Sequence, residues 1–144
     1  MATDPKKQPG VILENIFLVK SEFTRSDQLS ENTEDNISFT LNVSNSPDGK
    51  NFVFLTCILD RITIDSKVSS AKITTEFVAV IKKNEIEPNM DLEFFSRKIA
   101  PSLIFPYIRE HIHSTFLKAG IFTTPIQPMN LPALFNEEII LEKN

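Results

Sequence analysis

The residues able to do chemistry are few, and their spacing serves it poorly. His111 and His113 are the only histidines and form a His-x-His pair. On a strand that spacing puts two imidazoles on one face, as a metal site needs. The flanking residues instead predict a helix, where residues two apart point to nearly opposite sides and cannot close on one ion. Packing and surface roles are expected, with no metal site. Cys57 is the single cysteine, and its sequence neighbours are apolar, with no histidine or cation beside it. That predicts a buried, inert thiol rather than a nucleophile. Glu76, Glu85, Glu87, Asp91 and Glu93 are scattered rather than paired, as on a solvated face. Gly10, Gly49 and Gly120 lie too far apart to form a phosphate-cradling loop. The reading is a protein that is not an enzyme and uses no cofactor.

Composition narrows the partners. The formal net charge is −4, and Lys and Arg form no stripe, so no nucleic-acid partner is expected. No window approaches the ~18 uninterrupted apolar residues of a membrane span, so no membrane insertion is expected. The opening run MATDPKKQPG has no apolar core of a signal peptide. With a lone cysteine, this points to a reducing, cytoplasmic location. The sequons at Asn36 and Asn42 are then chance matches.

The elements that would position these side chains can be read in order. Residues 1–10 are expected to be a disordered arm, and residues 11–142 a single domain. Residues 11–24 alternate as a long strand, with Val11, Leu13, Phe17, Val19 and Phe23 as one set and Ile12, Ile16 and Leu18 on the other face. The polar run 25–36 reads as an exposed crossover loop. Ile37, Phe39, Leu41 and Val43 then alternate with Ser38, Thr40, Asn42 and Ser44, which predicts a strand with one wet face. The Ser46-Pro47-Asp48-Gly49 turn leads into residues 51–64, apolar on both alternating sets. A fourth strand spans residues 71–81. The expected fold class is α+β, a four-stranded antiparallel meander followed by C-terminal helices packed on one face.

That architecture leaves a deficit. Only the C-terminal third can supply helices, yet several strands are apolar on both faces. Leaving half a dozen large apolar side chains wet would sacrifice on the order of 10 kcal/mol, comparable to the stability of a whole domain. A partner copy or an apolar client is implied. Within the C-terminal third, residues 91–100 predict a short helix, broken at Pro101, with a fresh helix starting at Pro106 and ending at Gly120. An extended strap, 121–129, and a final helix capped by Asn130 follow.

The run Pro101-Ser102-Leu103-Ile104-Phe105-Pro106-Tyr107-Ile108-Arg109-Glu110, then Gly120-Ile121-Phe122, then Pro128-Met129-Asn130-Leu131-Pro132-Ala133-Leu134-Phe135, resembles the C-terminal part of SecB, the tetrameric protein-export chaperone. The order of elements over residues 11–81 is similar too. The resemblance implies an ATP-independent holdase, a homotetramer built as a dimer of dimers, with apolar grooves for unfolded precursor proteins awaiting export. It places the client groove at Phe105, Tyr107, Phe122, Met129, Leu131, Leu134 and Phe135, and the oligomer interface at Ile108, Ile112 and Phe116. Family members that dock on the SecA motor carry an acidic run at the end of the first strand; here Lys20 and Thr24 fall at its acidic positions. Glu22 and Glu76 are the remaining acidic candidates for motor docking. The alternative is a SecB-like chaperone dedicated to one client, such as an antitoxin, without SecA docking.

Overall fold

The computed structural model describes residues 10–29, 31–83, 91–122 and 126. Four strands, β1 (Val11–Arg25), β2 (Thr33–Asn45), β3 (Lys50–Thr63) and β4 (Ser69–Lys83), precede a helical segment. That segment comprises α1 (Leu92–Phe94), a π-helical turn (Phe95–Ile99) and α2 (Ala100–Lys118). The fold is α+β, one antiparallel sheet with the helical layer on one face, as its sequence pattern implies.

The strand order differs from a meander. The sheet runs β1-β4-β3-β2: β2, β3 and β4 follow one another as hairpins, and β1 lies beside β4. This is Greek-key connectivity read from the other end of the chain. The polar crossover is shorter than residues 25–36, because β2 begins at Thr33. It passes over the β3–β4 hairpin end, where the Ser26 N–H donates to the Ser70 carbonyl at 2.9 Å and the Ile64 N–H to the Asn32 carbonyl at 3.0 Å.

Strand β1 also departs from simple alternation. Its register against β4 shifts between Leu13 and Asn15 and again between Leu18 and Lys20, so Glu14 and Val19 are bulge residues. Each bulge flips the side-chain phase. Val11, Leu13, Ile16, Leu18, Ser21 and Phe23 therefore share the helix-facing side with Ile81, Ala79, Phe77, Thr75 and Ile73 of β4, whereas Ile12, Asn15, Phe17, Lys20 and Glu22 lie on the opposite, open side. Phe17 thus leaves the set to which strict alternation assigns it.

The core lies between sheet and helix. Leu41, Val53, Leu55, Cys57, Ile73, Ala79 and Ile81 are fully inaccessible and meet Ile104, Ile108, Ile112 and Phe116 of α2. Full burial of one such side chain contributes roughly 1.5–3 kcal/mol. Phe23 and Phe116 pack with ring centroids 5.6 Å apart, Phe39 and Phe105 at 5.8 Å.

The helical layer corrects the expected break. Pro101 sits in the first turn of α2 and Pro106 inside it, so the fresh helix at Pro106 does not exist. Pro101 has no N–H for the carbonyl four residues back, and the chain absorbs that loss in the wider π turn, where the Ala100 N–H bonds to the Phe95 carbonyl. Pro106 is exposed, as is Ser102, whose carbonyl it deprives; water can satisfy that group. Gly120, at φ 78°, ends the helix. The Gly120 N–H bonds to the Leu117 carbonyl and the Ile121 N–H to the Phe116 carbonyl, which is the Schellman geometry. The arm 1–9 and the capped final helix after Asn130 lie outside the described residues.

Candidate functional site

No set of side chains converges for catalysis among the described residues. The two histidines diverge around α2: His111 Nε2 lies 2.8 Å from Ser21 Oγ with its ring edge-on to Phe77, whereas the His113 Nδ1 is buried without a hydrogen-bond partner. Burial pushes the Cys57 thiol up to about 12, because a thiolate in the apolar core loses its hydration. No cluster of three or more His, Cys, Asp or Glu able to hold a metal occurs among the described residues, and none of their helices is long and apolar enough to cross a membrane.

What the surface offers instead is apolar area. On the open side of the sheet, Phe17, Val78 and Phe54 form one cross-strand row, and Asn15, Val80 and Phe52 the next. Val78 and Val80 are buried beneath their larger neighbours, while Phe17 stays 46% exposed. Asn42 and Ser44 of β2 close the patch at one edge. Beyond it, Thr56 Oγ1 donates to Glu76 Oε2 at 2.6 Å, and Lys20 lies 3.6 Å from Glu22. At the opposite end the Glu14 carboxylate bridges Lys50 and Lys82; the hydrogen bond from Lys50, together with the charges of both lysines, holds its pKa low.

A second apolar surface belongs to the helical layer. Leu103, Tyr107 and Leu117 stay 39%, 49% and 43% exposed on the side of α2 turned from the sheet, together with Glu110 and Ser114. Their spacing of four and three residues keeps them in one stripe. Tyr107 leans onto Phe77 at 6.1 Å between centroids, which joins the stripe to the helix-facing side of β1 at Leu18. Just past α2, Phe122 is 89% exposed. It rims a cavity of about 540 Å³ whose other lining residues include Leu29, Ile121 and Arg61.

The residues singled out from sequence fall in different places. Phe105 is core, packed between Phe39 and the Arg109 guanidinium. Ile108, Ile112 and Phe116 are likewise buried within the chain. The sheet covers them, and the exposed stripe is on the other side of the helix. Tyr107 and Phe122 remain accessible. Glu22 and Glu76 come together on the open side, opposite the adjacent residues Thr74 and Lys20, but each is already engaged by a neighbour. Met129, Leu131, Leu134 and Phe135 lie outside the described residues. Sequence reasoning passed over Phe17, Phe52 and Phe54 as site residues; the signal was the doubly apolar pattern of β3, and the bulges of β1 hid the position of Phe17.

No protein-family model matches the chain, and no curated protein does. Among solved structures it is similar to the Mycobacterium tuberculosis SecB-like chaperone Rv1957, solved in complex with a ChAD peptide from the HigA1 antitoxin. The TM-score is 0.71 at 16% sequence identity, over 83% of this chain and 90% of that one. The fold is therefore SecB-like.

Proposed function

We propose that this chain is a SecB-like chaperone that holds an extended or unfolded polypeptide, and that it serves a dedicated client rather than general export. The observation that carries the reading is the set of large apolar side chains left accessible on a well-packed SecB-like fold: Phe17 on the open side of the sheet, Tyr107 on the outer stripe and Phe122 beyond the helix. Apolar burial is non-directional, so such surfaces hold a chain without reading a precise shape. The fold neighbour's antitoxin peptide supports one client, as do Lys20 and Thr24 at the positions where SecA-docking members are acidic. In this reading the protein is cytoplasmic, homo-oligomeric, of the tetrameric kind found in SecB, and free of cofactors.

The test is twofold. Affinity capture from its own cells should return one polypeptide in stoichiometric amount, and the purified protein should suppress aggregation of that polypeptide on dilution from urea. A spread of exported precursors in the capture would replace dedication with general holding. No effect on aggregation at micromolar concentration would remove the chaperone reading.

A further inference from the structure

Strand β1 closes its helix-facing side with a cation. Its last residue, Arg25, pairs with Ala71 of β4, one step beyond Phe23 opposite Ile73, so the side chain leaves the sheet toward α2 and reaches the end of that helix. There Nη1 donates to the Ala119 carbonyl, 94 residues away in sequence. Nε donates to the Ser26 carbonyl at 2.9 Å and Nη2 to the Asp27 carbonyl at 3.3 Å. One planar guanidinium thus holds the start of the β1–β2 crossover and the C-terminus of α2 together. A cation suits the spot, because a helix ends in carbonyls without intrahelical partners and at the negative end of its dipole.

Those two segments are walls of one cavity. Leu29 and Glu31 line it from the crossover, Gly120, Ile121 and Phe122 from the chain leaving α2, and Ser70 from the sheet. The crossover wall is pinned to the sheet wall, since the Ser26 N–H donates to the Ser70 carbonyl at 2.9 Å. It is folded back by the Ser26 hydroxyl, which donates to the Gln28 carbonyl at 2.5 Å. Gly120 turns close beside the guanidinium: a Cβ there would lie 3.8 Å from Arg25 Nη1. Arg25 itself stands behind these walls rather than among them.

We propose that Arg25 is the positioning residue of the client cavity: it fixes the crossover against the end of α2 and so sets the gap between Leu29 and Phe122 that a client side chain enters. The inference rests on the preceding reading, in which Phe122 meets the client, and names what shapes that site. The cavity of about 540 Å³ is formed while the clamp is made, so the clamp belongs to the binding-competent arrangement. Arg25 is exposed, and its hydrogen bonds add modestly to folding because water competes for the same groups. Their effect falls instead on the relative position of two segments far apart in the chain. If loss of the clamp leaves about one molecule in five with the cavity formed, apparent affinity falls about fivefold. Lysine cannot stand in, because its compact ammonium lacks the planar fork that reaches carbonyls on both segments.

Binding, stability and distance measurements on the whole chain test this. In Arg25→Gln and Arg25→Lys proteins, affinity for fluorescein-labelled, reduced and carboxymethylated lactalbumin, a permanently unfolded probe, should fall about fivefold, while the urea unfolding midpoint stays close to that of the parent. Spin labels at Gln28→Cys and Phe122→Cys should report a longer and broader distance distribution once Arg25 is replaced; Cys57 is buried and stays unlabelled. Lys118→Gln, which removes another cation from the last turn of α2, should change neither distance nor affinity. A distance and an affinity that both survive Arg25→Gln would overturn the proposal. Equal losses from Lys118→Gln would overturn it too, by reducing the effect to charge at the helix end, as would a lowered urea midpoint with the folded protein's affinity unchanged. Failure of the parent protein to bind the probe would bear on the preceding reading alone; the spin-label distance then decides the clamp, and an unchanged distance overturns it.

Discussion

Replacing Phe122 by alanine separates client binding from folding more cleanly than any other change. The side chain is 89% exposed, so its removal takes almost nothing from the folded state, and unfolding free energy should move by less than about 0.5 kcal/mol. If a bound client covers half of what is exposed, about 90 Å² of aromatic surface leaves water. At roughly 25 cal/mol per Å² that is worth about 2 kcal/mol, or about a 30-fold loss of affinity. The assay is fluorescence anisotropy of the labelled, co-purified client titrated with wild-type or variant protein, alongside urea denaturation of each. An affinity unchanged within twofold would show that no client covers this ring. A large stability loss would refute the premise that Phe122 contributes nothing to the fold.

Three further outcomes follow from the packing. Phe116→Ala removes a fully buried ring that contacts Phe23 and lies under the Arg61 guanidinium; unfolding should become easier by about 3–5 kcal/mol, measured by urea denaturation. Pro106→Ala restores an N–H at an exposed position inside α2 and should raise stability by about 1–3 kcal/mol, with a Tm increase of several degrees by calorimetry. Cys57 should resist a thiol reagent at pH 8 until the protein unfolds. Its pKa, raised by burial from an ordinary 9.0 to about 12, means the unfolded chain ionises first. Its stabilising effect is thus complete below pH 9 and is lost as pH rises toward 12, which denaturation midpoints across that range would show.

Much of the fold was legible because its signals are local. The Ile37–Val43 alternation specifies a half-buried strand wherever it sits, and Gly120 ends a helix because only a residue comfortable at positive φ closes that cap. The apolar residues on both sets of β3 also announced that the helical layer could not cover everything. The helix start was misread for a physical reason: a proline removes one hydrogen bond in any context, but whether the chain breaks or absorbs the loss in a π turn depends on the packing of Phe95 and Ile104 against the sheet. Ile108, Ile112 and Phe116 were correctly apolar, yet sequence could not say whether their cover would be this chain or another.

What the sequence determined by itself was the set of strands, the amphipathic helix, the inert cysteine and the excess of apolar surface. Each depends on the period or chemistry of neighbouring residues. Only the tertiary structure decided that β1 lies beside β4, that two bulges turn Phe17 outward, and that the helix hides one apolar stripe and shows another. Those outcomes depend on pairings between residues some fifty to seventy positions apart, and a one-residue shift in such a pairing exchanges the two faces of a strand.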